Sequence, residues 1–222
     1  MSHTLTASLK QALLSLGFLI AFTGVVVVLL LAAFEDMQHF SLKEEIKMKK
    51  INQELIALFD KYGSDRRRAL RGNKKLSYLY ALADLRENLL DWYQFDPEQQ
   101  ALQIGADAGA LTGLLARRLS SVTVLDVSEE NLEVVRRRFK TEPELAAKIR
   151  YVCADVETYA REAEKRGGTY GYVVLIGDLT AADRAGRAAQ MTAAKQLLSA
   201  HGTLIAAASN WFGVKYMAGA ER

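Results

Sequence analysis

The chain has 222 residues, 50% hydrophobic and 25% charged, with a formal net charge of +3. Half the residues are available to a core, which excludes a disordered chain, and +3 over this length is too little to argue for nucleic acid as a partner. The single cysteine excludes a disulfide framework or a paired-cysteine metal site, two prolines exclude a proline-rich linker, and His3, His39 and His201 lie too far apart for metal-ligand spacing.

Charge is unevenly placed. Residues 1–34 carry +1 from Lys10 alone, residues 35–75 carry +4 and residues 76–222 carry −2. The chain therefore reads as a short tail (1–12), an apolar segment (13–34), a basic helical connector (35–75) and a slightly acidic body (76–222).

Leu13 to Phe34 is a run of 22 residues without a charge. A helix rising about 1.5 Å per residue needs about 20 such residues to cross a hydrocarbon core about 30 Å thick, so a transmembrane helix is expected here. The competing readings are a cleaved signal peptide and a core helix. The run is longer than the apolar stretch of about 7–15 residues in a signal peptide, Leu31-Ala32-Ala33 is a poor cleavage site, and a core helix normally keeps a polar face. Lys10 precedes the run, while Lys43, Lys47, Lys49 and Lys50 follow it. Basic residues mark the cytoplasmic side, so the expectation is a single-pass protein of the inner membrane with its body in the cytoplasm.

In the connector, Ile46, Ile51, Leu55, Leu58, Phe59 and Tyr62 recur at helical spacing, and Ser41 followed by Glu44 and Glu45 reads as a helix start. Two readings are open for its apolar side: pairing with a second copy or lying along the membrane, or packing on the chain's own body. Arg66, Arg67, Arg68, Arg71, Lys74 and Lys75 then form a basic run that either meets anionic lipid or is a solvated linker.

From residue 76 the pattern alternates. An amphipathic helix is predicted over 76–95, with Leu79, Leu82, Leu89, Leu90 and Tyr93 toward one side. Strands are predicted at 101–105, 121–127, 148–155, 170–178 and 202–209, with helices at 109–119, 128–140, 156–166 and 183–200 between them. Cys153, inside the third strand, reads as an inert core thiol. Apolar strands alternating with helices predict an α/β fold: a Rossmann-like, doubly wound, mostly parallel sheet of about five strands, preceded by the transmembrane helix.

In such a sheet ligands bind beyond the carboxyl ends of the strands. Those ends hold a glycine-rich turn, Gly105-Ala106-Asp107-Ala108-Gly109, then Asp126, Asp155, and Gly177-Asp178. A glycine turn followed by an acid at the end of the next strand suits an adenosine-containing ligand. A dinucleotide fingerprint fails at Asp107 and Ala110, and no P-loop is present. The segment Gln103 to Gly109 resembles instead the first motif of class I S-adenosylmethionine-dependent methyltransferases, E/D-x-G-x-G-x-G. The likeness extends over LRENLLDWYQF (85–95), LQIGADAGALTGLLARRLSSVTVLDVS (102–128), YGYVVLIGDL (170–179) and GTLIAAASNWFGVKYMAGA (202–220). In order, these are similar to blocks of a bacterial methyltransferase family associated with glycosyltransferases and surface polysaccharide synthesis.

This resemblance implies S-adenosylmethionine as cofactor, a saccharide or glycan precursor as acceptor, and a glycan or glycosyltransferase as partner. It implies Gly105, Ala106, Asp107 and Gly109 beneath the methionine moiety, Asp126 and Val127 at the ribose, Asp155 and Val156 at the adenine, and Gly177 beside the transferred methyl. Helix capping competes as a role for Asp126 and Asp155. A sulfonium is already a good leaving group, so in-line positioning supplies most of the rate, and a base is needed only for an acceptor such as a sugar hydroxyl. Asp178 is the candidate base, with an exposed loop acid as the alternative; Asn210 and Trp211 are candidates for acceptor contact.

The chain also departs from the family. Gln103 stands for the usual acid, Asp107 for the central glycine, where it is expected to crowd and repel the methionine carboxylate, Gly171 for an aspartate, and Thr180-Ala181 for Glu-Tyr. The sequence stops at Arg222, where this fold usually continues through a helix and an antiparallel strand pair. A truncated or partner-completed domain is therefore expected, and a catalytically degenerate scaffold is the alternative to an enzyme.

Overall fold

The computed structural model describes residues 47–73, 75–177 and 184–207. The chain divides into two units, 1–50 and 51–222, and the architecture below is that of the second. Among the described residues no helix is long and apolar enough to cross a membrane; the apolar run 13–34 lies outside them.

Five parallel strands form one sheet: β1 (Gln100–Ile104), β2 (Ser121–Asp126), β3 (Ile149–Cys153), β4 (Tyr170–Ile176) and β5 (Leu198–Ala207), in the order β3-β2-β1-β4-β5. The helices are α1 (47–62), α2 (Arg66–Arg71), α3 (Leu76–Leu82), α4 (Thr112–Arg118), α5 (Glu129–Phe139), the single turn α6 (Pro143–Ala146), α7 (Val156–Arg166) and α8 (Arg184–Gln196). The strand order reverses between β1 and β4, which creates the crevice that the parallel pattern calls for.

Strand residues alternate between two cores. Ala101, Val122, Val124, Tyr172 and Val174 face Leu114, Leu115, Leu132, Val135 and Phe139 of α4 and α5. Leu102, Ile104, Leu125, Val173 and Leu175 face Val156, Ala160, Ala193 and Ala194 of α7 and α8. Both sheet faces are covered, so the strands are apolar on both sides. A third cluster joins Leu55 and Phe59 of α1, Ala69, Tyr78 and Leu82 to Val134, on the side of α5 away from the sheet. The apolar side of α1 from residue 51 onward is thus spent on its own domain. Polar links fasten it there: Asn52 Nδ2 donates to Asn131 Oδ1 at 2.8 Å, and Asp60 pairs with Arg137 at 3.1 Å.

The helix expected over 76–95 is broken. It ends at Leu82, Ala83 is extended, and a 3-10 turn runs from Asp84 to Leu89. The two halves serve different cores: Leu82 belongs to the α1 cluster and Leu90 to the β-sheet cluster. Leu79 and Leu89, expected on the buried side, are 43% and 49% exposed. The turn is strapped to α4 through Glu87–Arg117 at 2.6 Å, and Asp91–Arg118 follows at 2.9 Å.

The fifth strand begins at Leu198, within the stretch expected as helix. Tyr170 pairs with Leu198 and Tyr172 with Thr203, so the β5 residues between sit opposite Gly171 alone. Gly202 permits this bulge: a Cβ there would lie 2.8 Å from the Tyr170 carbonyl oxygen. Gly171 itself lies under Gln99, whose side chain a Cβ there would overlap, which accounts for the absence of a side chain at that position.

Candidate active site

Gly105, Asp107, Ala108 and Gly109 all have positive φ (87°, 42°, 50° and 73°). Two of these four are not glycine, and an L side chain in the left-handed region costs roughly 1–2 kcal/mol. The neighbours that hold them there come from every side. Gly105 N donates to the Leu125 carbonyl at 2.8 Å. Gln103, 2% exposed, donates from Nε2 to the Gly105 carbonyl at 2.8 Å, while its Oε1 accepts from Thr112 Oγ1 at 2.7 Å. The amide that replaces the family's acid is therefore a strut beneath the turn. From behind, Arg138 Nη1 donates to the Ala108 carbonyl at 3.1 Å and the Ala81 carbonyl at 2.5 Å. Arg138 is 2% exposed, and burial lowers its pKa to about 10.

Asp126 ties the turn to the second strand. Its Oδ2 accepts from Ala106 N at 2.8 Å; its Oδ1 accepts from Ser128 N at 2.8 Å and Asn131 Nδ2 at 3.0 Å. Since Asn131 also accepts from Asn52, a hydrogen-bonded chain runs from α1 through Asn131 and Asp126 to the glycine turn. Ser128 caps α5 by accepting from Asn131 N at 3.3 Å, so Asp126 braces the helix start while Ser128 is the cap.

The remaining predicted residues fall at the same end of the sheet. Val127 is 72% exposed beyond β2. Asp155 is exposed beyond β3 and caps α7, accepting from Thr158 N at 2.7 Å; that bond holds its carboxyl below the usual carboxylate range. Val156 is buried in the α7–α8 core. Gly177 follows β4 with φ 85°. Cys153 is a correction: it is exposed at the end of β3, opposite Asp126 in register. Slight burial and the nearby Glu129, Asp126 and Glu130 carboxylates push its thiol up. Asp178, Asn210 and Trp211 lie outside the described residues.

Asp107 does not stand free at the mouth of the site. Its carboxylate pairs with Arg86, Oδ2 to Nη2 at 2.8 Å, and Oδ1 accepts from Nη1 at 3.2 Å. Burial holds the Asp107 carboxyl above its ordinary value, against the opposing pull of Arg86 and Arg138. Arg86 Nη2 also lies 3.9 Å from where a Cβ on Gly177 would be. The guanidinium thus reaches from the turn after β1 to the end of β4, across the switch point. Arg86, Asn131, Asn52 and Arg138 carry no local sequence pattern that marks them for this site. Arg86 sits beside Glu87 and Asn88 in a mixed polar stretch, so no local signal set it apart.

A parallel sheet with this strand order, a left-handed glycine turn after β1 and an acid at the end of β2 define a nucleotide-binding α/β domain. Residues 101–202 match the family model described as a methyltransferase domain, which agrees with the resemblance to S-adenosylmethionine-dependent methyltransferases. No curated protein matches the sequence. Among solved structures the chain is similar to the glycopeptide N-methyltransferase MtfA (19% identity, 55% of this chain and 51% of that one, TM-score 0.47). It is also similar to the N-methyltransferase NodS from Bradyrhizobium japonicum WM9, in complex with S-adenosyl-L-homocysteine (19%, 67% and 69%, 0.44). A third is an O-methyltransferase family protein from Burkholderia thailandensis (16%, 58% and 38%, 0.49). The chain spans about half the length of the first of these.

Proposed function

We propose that this chain is a membrane-anchored S-adenosylmethionine-dependent methyltransferase that works at the cytoplasmic face of the inner membrane on a saccharide or glycan precursor. The observation that carries the donor assignment is the braced turn Gly105–Gly109 with Asp126 beside it, at the carboxyl ends of β1 and β2. Gly105 and Gly109 would lie under the methionine part. Asp126 keeps a lone pair on Oδ2 for a ribose hydroxyl, Oδ1 being taken by Ser128 N and Asn131 Nδ2, and Val127 offers an exposed apolar surface beside it. Asp155 and Val156 would flank the adenine. The donor supplies an activated methyl on sulfur, and the chain's part is to hold it in line with the acceptor. For a sugar hydroxyl, Asp178 is the candidate to take the proton.

The anchor rests on the uncharged run 13–34 and the lysines after it. A glycan or a glycosyltransferase as partner rests on the sequence blocks described above. The competing reading, a scaffold that has lost catalysis, is favoured by one observation, the Arg86–Asp107 pair across the switch point.

The test is calorimetric titration of the purified full chain in detergent with S-adenosylmethionine. Wild type should bind, and Asp126→Ala should lose at least tenfold in affinity. A folded chain that gives no heat with the donor or with S-adenosylhomocysteine would leave the scaffold reading. For the anchor, alkaline carbonate should leave wild type in the membrane fraction, and deletion of 13–34 should release it.

A further inference from the structure

We infer that the Arg86–Asp107 ion pair is a built-in competitor for the carboxylate of the donor's methionine moiety, so that Asp107 sets donor affinity by occupying Arg86 rather than by repelling the ligand. The inference rests on the donor reading above.

Four observations lead to it. Arg86 is the cation that bridges the two strand ends flanking the crevice: it pairs with Asp107 after β1 and approaches Gly177 after β4. The pair sets both carboxylate oxygens against both terminal guanidinium nitrogens, at 2.8 and 3.2 Å, yet only Nη1–Oδ1 has hydrogen-bond geometry and the buried Asp107 Oδ2 has no hydrogen-bond partner, so Arg86 is held by charge and one bond where a free carboxylate ligand could take both prongs of the fork. The pair is partly withdrawn from water, with side-chain exposures of 26% and 35%, so it is screened less than a surface pair. Lastly, Asp107 is held in the left-handed region at φ 42°, next to Ala108 at φ 50°. The turn thus keeps its shape without glycine there, and the aspartate side chain is aimed at Arg86.

The repulsion expected from an aspartate at this position is therefore largely cancelled within the protein. What remains is an exchange. An incoming carboxylate gains Arg86 only by displacing the Asp107 carboxylate, which trades one carboxylate–guanidinium pair for another and leaves a half-buried anion beside the new one. Such an exchange yields little net free energy, whereas capture of an unpaired Arg86 would yield a charge-assisted bidentate bond. The adenosine half of the ligand, held at Asp126 and beyond β3, is untouched by this competition.

The experiment compares two probes on four forms of the full chain in detergent. The probes are S-adenosylmethionine and 5′-methylthioadenosine, which keeps the adenosine and sulfur and lacks the amino-acid carboxylate. The forms are wild type, Asp107→Asn, Arg86→Met and the double variant, each checked for wild-type helix content and thermal transition. Asparagine tolerates the left-handed region, so the turn is retained. Methylthioadenosine should bind wild type and Asp107→Asn within twofold. S-adenosylmethionine should bind Asp107→Asn at least tenfold more tightly than wild type, and the double variant should lose that gain. Equal S-adenosylmethionine affinity for wild type and Asp107→Asn would overturn the inference. So would a gain that persists without Arg86, because simple repulsion by Asp107 would then suffice. If methylthioadenosine itself binds no folded form, the donor reading falls with it; if methylthioadenosine binds every form and the methionine part makes no difference, only the competitor falls.

Discussion

Glycine is required at two of the left-handed positions for different reasons, and the difference is measurable. At Gly109 a Cβ would lie 2.9 Å from Arg138 Cδ and 3.2 Å from both Phe139 and Val135, with φ at 73°. At Gly167, the αL residue ending α7, a Cβ would meet nothing within 4 Å at φ 69°. Gly167→Ala should therefore cost only the left-handed strain, about 1 kcal/mol. Gly109→Ala adds a clash with a packed core and should cost about 2–4 kcal/mol in chemical denaturation. Equal losses would mean that the turn after β1 yields more easily than its contacts suggest. The glycines and acids of this site were legible in the sequence because each answers to a local rule: a turn, a strand end, a helix start. Gln103 was legible only as a departure. Its role as a strut depends on Thr112 nine residues on and on the carbonyls of a left-handed turn, and neither follows from local pattern.

At the scale of elements, capping and burial make separate predictions. Asp155 caps α7, and its carboxyl is held low by the Thr158 N–H. A depressed carboxyl stabilises the fold above its unfolded value, about 3.9, and loses that contribution as pH falls through the lower folded value. Asp155→Ala should thus cost about 1 kcal/mol at neutral pH, with the gap to wild type closing in acid below about pH 4. A gap independent of pH would show that the carboxylate's charge plays no part. Phe59, 3% exposed in the cluster joining α1 to α5, carries the attachment of the connector. Phe59→Ala should cost about 3–5 kcal/mol in denaturation of the whole domain; an unchanged transition would mean that α1 is not part of the cooperative unit. The helical spacing of the apolar residues of α1 announced an apolar side but not its partner. The break at Ala83 was equally hidden, because Leu79, Leu82, Leu89 and Leu90 satisfy helical periodicity whether or not the chain bends between them.

For the whole molecule, the proposed donor site collects residues from four strand ends, and the single cysteine stands at its rim. Cys153 is exposed opposite Asp126, with its thiol raised above its ordinary value. Alkylation at neutral pH should be slow and should accelerate as pH rises, since the thiolate is the reactive form. A bound adenosine-containing ligand should slow it further, which mass spectrometry of the intact chain can follow. Labelling unaffected by saturating S-adenosylmethionine would separate Cys153 from the adenosine half of the site.

The order of strands and helices in the body, the acids at the strand ends and the uncharged run 13–34 follow from the sequence by itself, because periodicity, capping and apolar length are local properties. The Asn52–Asn131–Asp126 chain, the double bracing of the turn by Gln103 and Arg138, and above all the pairing of Arg86 with Asp107 were decided by tertiary structure. Arg86 and Asp107 are 21 residues apart in the chain. They meet because α3 stops at Leu82 and the following 3-10 turn lays Arg86 beside the end of β1. Whether an aspartate in a glycine turn repels a ligand or is neutralised by its own protein depends on which charge the fold sets beside it.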